Sequence, residues 1–175
     1  MEGFGQLMES FSRDDCSSQE LHIGVLSAAR SRLGVMRNDV SDLVILRSLG
    51  VSAPGALGPS GCGGVFRTYR GSVNGCFYHF LGNGLAIEVE LWAMIKAVRY
   101  ASFHGWMTLW MESDSTSAVD ILRTRSRNVP WRILSAWDDC LRLVEQICLV
   151  VTHVYREANQ VTDALSKRSI AKVFP

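Results

Sequence analysis

From Ile87 to Gly105 apolar residues recur at every third or fourth position. Leu91, Met94, Ile95, Val98 and Ala101 form one stripe and Gly105 suits the stop, which predicts an amphipathic helix. Directly afterwards the period changes. Met107, Leu109 and Met111 alternate with Thr108, Trp110 and Glu112, which predicts an extended strand. Ala118, Ile121 and Leu122 then return to helical spacing behind Ser113, Asp114 and Ser115, residue types that cap helix starts. Asp114 is therefore expected at a strand-to-helix corner.

The same reading extends to the rest of the chain. Leu26, Ala29, Leu33, Met36, Val40, Leu43 and Val44 fit a helix over Leu21 to Leu49 closed by Gly50, but Leu43 to Leu46 (LVIL) fits a buried strand equally well. Ser52 to Gly64, with Pro54 and Pro59 among small residues, predicts loop. Gly64 to Tyr69 and Val73 to Leu81 predict a hairpin turning at Arg70 to Ser72. A basic connector, Arg123 to Asn128, leads to a helix from Pro130 to about Glu145. Ile147 to Tyr155 is apolar on both faces and reads as a strand inside a sheet, followed by a turn and a last helix from Gln160 to about Ile170. This order predicts an α/β fold, a mixed sheet with flanking helices. It divides the chain into an extension over residues 1–50, helical with a poorly ordered start, and a domain over residues 51–175.

Composition narrows this picture without redirecting it. A chain of 175 residues, 47% hydrophobic, is long enough for one good core. A net charge of +1 gives no global basic field, so nucleic-acid binding has to rest on local patches. The densest apolar run, Ile147 to Val151, is far shorter than a membrane span, and the acidic N-terminus lacks the apolar core of a secretion signal. Five cysteines without a CxxC pair argue against a disulfide framework or a zinc knuckle, so the expected setting is a reduced one inside the cell, nucleus or cytoplasm.

The candidate chemistry lies in three carboxylates. In α/β proteins ligands gather at the carboxyl ends of strands, where strand ends and helix starts converge. Glu90 is in the first turn of its helix on the face of Met94, Ala97 and Ala101, whereas Glu88 is expected to turn outward with Trp92 and Arg99. Asn159 and Asp163 are four residues apart, hence on one helix face, just beyond a strand end. Each also has a plain structural reading: Asp114 and Asn159 as helix caps, Glu90 as a charge favoured at a helix start. Brought together, Glu90, Asp114 and Asp163 would repel unless a cation compensates, and oxygen ligands without His or Cys suit Mg²⁺ or Mn²⁺. Such sites serve phosphoryl transfer.

Five ordered motifs, GCGGVFR (Gly61 to Arg67), EVEL (Glu88 to Leu91), LWMESDS (Leu109 to Ser115), VPWRIL (Val129 to Leu134) and THVYREANQVTDAL (Thr152 to Leu165), resemble the plant branch of the type-1 ribonuclease H family found in retrotransposon-like reverse transcriptase proteins. The resemblance implies a ribonuclease H-like fold and hydrolysis of RNA in RNA–DNA hybrids by two metal ions. It matches Glu90, Asp114 and Asp163 to three of four metal-binding acids, and sets His153 near a histidine that assists product release. A core histidine, or a merely hydrogen-bonded one, is an equal reading of His153. The family reads hybrids by shape and 2′-hydroxyls. Gly63 and Gly64 would then allow close backbone approach to the ribose, Asn159 belongs to the site motif, and Arg123, Arg125, Arg127 and Arg132 with Trp131 would hold phosphates of the partner strand. A solvated connector is the plainer account of that basic run.

The chain departs from the pattern at one place. The first family acid closes the first strand, yet the matching position is read as Pro54, no acid lies between Asp42 and Glu88, and the strand itself is missing or replaced, with Leu43 to Val51 as the substitute. Three functions follow. The chain is a hybrid-cleaving ribonuclease H-like domain, or a nucleic-acid-binding remnant of a retroelement polyprotein without hydrolysis, or an unrelated nucleotide-binding module. The absence of GxxxxGK[ST] and GxGxxG opposes the third. Protein partners are left open, and no membrane association is expected.

Overall fold

A computed structural model describes residues 43–51 and 58–155. Five strands form one sheet: β1 (Leu43–Val51), β2 (Gly58–Thr68), β3 (Val73–Gly84), β4 (Thr108–Ser113) and β5 (Cys148–His153). Among the described residues there are three α-helices: α1 (Ala86–Phe103), α2 (Thr116–Arg123) and α3 (Leu134–Val144), the last preceded by a 3₁₀ turn at Trp131–Ile133. The strand order is β3-β2-β1-β4-β5. β1 runs antiparallel to β2 and parallel to β4, and β5 is parallel to β4. This is the expected mixed α/β sheet with flanking helices.

The central place belongs to Leu43–Val51. Of the two readings of LVIL, the strand holds and the helix does not, because Val44, Ile45 and Leu46 are all buried and both edges of the strand are paired. A helix there would leave β2 and β4 without the partner that satisfies their inner backbone groups. The sheet therefore begins ahead of residue 51, and the first strand is replaced rather than missing. The remainder of the helix expected from Leu21 lies outside the described residues, as do Pro54 and the helix expected from Gln160 to about Ile170.

β2 corrects a second expectation. Ser52 to Gly64 was read as loop, but the strand starts at Gly58 and includes Pro59. Among the described residues the last β1 partner is Gly61 and Pro59 pairs with Asn83 of β3, a place near the end of a ladder where proline is tolerated. β5 corrects a third. It ends the described sheet instead of lying inside it, and only Val151 of its residues is buried.

The core lies between the sheet and α1. Val44 and Leu46 of β1, Cys62 and Phe66 of β2, Phe77 of β3, and Leu109 and Met111 of β4 pack with Leu91, Met94, Ile95, Val98 and Ala101, the stripe expected of the helix. α3 closes the layer with Trp137, which is fully buried and donates from Nε1 to the Ser126 carbonyl at 2.9 Å. α1 ends as anticipated: Gly105 takes φ +68°, a left-handed conformation natural to glycine, and Trp106 N–H bonds back to the Ala101 carbonyl.

Candidate metal and nucleic-acid site

Strand direction fixes which end of the sheet carries the candidate chemistry. β1, β4 and β5 run in parallel and in register, so Ser48, Ser113 and His153 form one row at their carboxyl ends. Asp114 follows Ser113 directly. α1 starts at the same end, because β3 runs parallel to β1 and delivers Gly84 there before the chain reverses. Its first turn contains Glu90.

The corner at Asp114 is built by its neighbours. Ser115, not Asp114, is the N-cap of α2, and its hydroxyl accepts from Ala118 N at 3.3 Å. Ser113 is buried, and its Oγ accepts from Ser115 N at 3.3 Å. The N-cap is thus Ser115 and not Asp114, whose carboxylate is half-buried at the strand end. One oxygen of Asp114, Oδ1, and one of Glu90, Oε2, are closed off from solvent. Burial disfavours the charged form of a carboxyl group, and a hard cation offsets that penalty.

Glu88 and Glu90 differ from expectation. Glu88 is buried instead of turned outward, since Oε2 accepts from Leu85 N at 3.3 Å and closes the start of α1, where Leu85 has no side-chain acceptor of its own. Helix-start hydrogen bonding overrides the simple helical phase there. Glu90 remains half-buried, and its charge reaches β2. Burial pushes the Cys62 thiol up to about 12, with Lys96 lowering it and Glu90 adding to the rise. Cys62 pairs with Gly50 of β1 on one side and His79 of β3 on the other. Glu90 therefore lies within electrostatic reach of Cys62, whose partner on β1 is Gly50.

The structure assembles part of the predicted set. Glu90 and Asp114 come to the same end of the sheet, while Asp163 and Asn159 lie outside the described residues. His153 is exposed at the end of β5, so it is not a core histidine. Among the described residues no three His, Cys, Asp or Glu side chains converge to hold a metal ion. β1, LVILRSLGV, contains no acid.

The binding residues fare unevenly. A Cβ at Gly64 would lie 2.5 Å from Phe77 Cε1 and 2.9 Å from Leu46 Cδ1, so core packing accounts for glycine at this position. Gly63 is also buried. Arg127 is ion-paired with Asp138, and Arg123 donates from Nε to the Val151 carbonyl at 2.9 Å. Arg125 is exposed in a left-handed conformation (φ 51°), and Arg132 is exposed beside Trp131, which is 84% exposed. Tyr155, which hydrophobic spacing did not single out, is 78% exposed beside His153. The signal available was an aromatic residue in the motif just past a strand end.

A five-stranded mixed sheet in this order with helices packed on it defines the ribonuclease H fold, and solved structures bear this out. LC11-RNase H1 in complex with RNA/DNA hybrid is 22% identical, with a TM-score of 0.67 over 75% of this chain and 99% of that one. RNase H1 from the halophilic archaeon Halobacterium salinarum is 23% identical, with a TM-score of 0.65 over 74% and 98%. A foamy viral protease-reverse transcriptase in complex with dsDNA is 18% identical, with a TM-score of 0.54 over 74% and 94%. The sequence model of the reverse transcriptase-like family matches residues 52–169, and the chain belongs to that family. No curated protein matches the sequence. No helix among the described residues is long and apolar enough to cross a membrane.

Proposed function

We propose that this protein is a ribonuclease H-like domain that binds RNA–DNA hybrid at the carboxyl ends of β1, β4 and β5, and that its hydrolytic activity is weak or lost. The observation that carries the reading is the pair Glu90 and Asp114, delivered by a helix start and a strand end to one end of the sheet, each with an oxygen shielded from water. Together with Asp163 they form the proposed ligand set for Mg²⁺ or Mn²⁺. Carboxylate oxygens suit these hard cations, which when bound polarise a phosphate and activate water. Arg125 and Arg132 with Trp131 are the proposed contacts to the partner strand. Arg127, already held by Asp138, is a weaker candidate than the sequence implied. Gly63, Gly64 and Asn159 remain proposed contacts only through backbone and family resemblance.

Loss of hydrolysis follows from β1. By alternation residue 50 falls on the same face as Val44 and Leu46, the face covered by α1, and its pairing partner Cys62 is the residue that senses Glu90. An acid on β1 would belong at Gly50. Without it the attacking water and one ion lose a charged neighbour, at a cost of ~10²-fold or more, comparable to the loss of other single electrostatic groups. We assign the domain to residues 43–175, with the residues before it as an extension, and propose a plant retroelement origin. A domain reduced to binding is the second reading, favoured by the acid-free β1. Retardation of a labelled hybrid by the full chain, without retardation of a random polyanion at equal charge, tests the binding. Release of labelled RNA in Mg²⁺, lost in Asp114→Asn, would show that hydrolysis persists.

A further inference from the structure

Tyr155 and His153 form an aromatic pair beside the proposed site. The ring of Tyr155 is 78% exposed and meets His153 edge to face, with centroids 5.7 Å apart and planes at 79°. The backbone between them is fixed, because Val154 N donates to the Ser113 carbonyl at 2.9 Å and so carries the β4–β5 ladder up to the residue before Asp114. A tyrosine free to swing on a surface is ordinary. A ring held by a second ring, on backbone tied next to a carboxylate with a shielded oxygen, is pre-organised for contact, and holding it there lowers the ordering cost when a ligand arrives.

We propose that Tyr155 is a nucleotide-contact residue, its ring packing on the sugar of the nucleotide that adjoins the phosphate at Glu90 and Asp114, with His153 as the positioning residue that holds the ring. This inference rests on the function proposed above. The immediate surroundings favour a nucleic-acid strand over an apolar partner. Thr152 is half-buried with its Oγ1 accepting from Trp110 Nε1 at 2.8 Å, and His153 is exposed, so among the described residues the ring is flanked by polar groups. An exposed aromatic face in polar surroundings suits a nucleotide, whose sugar C–H groups and base face offer apolar contact between charged phosphates.

The test uses the full chain, a fluorescein-labelled RNA–DNA hybrid and anisotropy in Ca²⁺. Tyr155→Ala is expected to weaken binding about 5- to 20-fold and Tyr155→Phe less than about twofold, in line with the effect of removing an aromatic nucleic-acid contact. His153→Ala is expected to weaken it about 2- to 5-fold, the scale of an aromatic pair, and His153→Phe to restore it. Photocrosslinking from 4-thiouridine in the RNA strand is expected to map to the peptide containing Tyr155. If the native chain binds but Tyr155→Ala binds as tightly, or the crosslink maps only to the Arg123 to Arg132 connector, the contact is overturned and the proposed function stands. If His153→Phe binds as weakly as His153→Ala, the positioning role is overturned. If the native chain fails to bind hybrid at all, both are overturned.

Discussion

β1 and β4 are neighbouring parallel strands that end in the same row, and they end differently. β4 runs through Glu112 and Ser113 into Asp114, a carboxylate set at a corner that two serines cap. β1 runs through Ser48 and Leu49 into Gly50 and Val51, with no acid anywhere along it. Both strands are fully integrated into the sheet. The fold is therefore indifferent to the residue that distinguishes their ends, because pairing and burial upstream, at Val44 to Leu46 and Leu109 to Met111, hold each strand in place. Chemistry is a local addition to a scaffold that survives without it.

The most direct way to break the contrast is to give β1 the end that β4 has. Gly50→Asp is expected to raise Mg²⁺-dependent cleavage of a labelled hybrid at least ~10²-fold over the native chain, and a second change, Asp114→Asn, to remove the gain. No gain from a folded Gly50→Asp chain would show that β1's missing acid is not what limits hydrolysis.

Acid probes the β1 side of the site through His79, in the row of Gly50 and Cys62. Burial, reinforced by Lys96, lowers His79 to about 4 from 6.5. A depressed folded value means the unfolded chain binds more protons between these limits. The stabilising difference is therefore intact above pH 6.5 and lost as pH falls towards 4, by up to about 3 kcal/mol. His79→Gln keeps a partner for the Tyr100 hydroxyl, now 3.3 Å from Nε2, and has nothing to protonate. Melting curves between pH 7 and 4 should show the native chain losing more stability than this variant; parallel losses would contradict the assignment.

Gly64, opposite Ser48, tests whether packing or ligand approach requires glycine at the β1 end. With Phe77 and Leu46 in the space of a side chain, Gly64→Ala is expected to cost about 1–3 kcal/mol in chemical denaturation. Unchanged stability with weakened hybrid binding would show that ligand approach, not packing, requires glycine there. The smallest effect belongs to the β4 side. Ser115→Ala removes the cap of α2 and should cost about 1 kcal/mol, and a larger loss of hybrid binding than of stability would show that the cap also holds Asp114 in place.

Much of the scaffold was written in local pattern. α1, β4 and α2 were legible because each changes its hydrophobic period at a boundary marked by Gly105 or by Ser113 to Ser115, and the strand-to-helix corner at Asp114 followed from them. β1 was not legible, since four consecutive apolar residues satisfy a helix and a buried strand alike. The family match also starts after it, at residue 52. Only the pairing demands of β2 and β4 on either side select the strand.

The site divides along the same line. Sequence alone determined the identities of the proposed ligands, Glu90 and Asp114 with no acid between Asp42 and Glu88, because a carboxylate's chemistry belongs to the residue itself. Tertiary structure decided what each acid and glycine does. Glu88 turned inward to cap α1, Ser115 took the cap from Asp114, Gly64 was claimed by Phe77 and Leu46, and Arg127 by Asp138. Those roles depend on neighbours distant in the chain, and hydrogen bonds, close packing and ion pairs act across space at short range, which spacing along a sequence cannot specify.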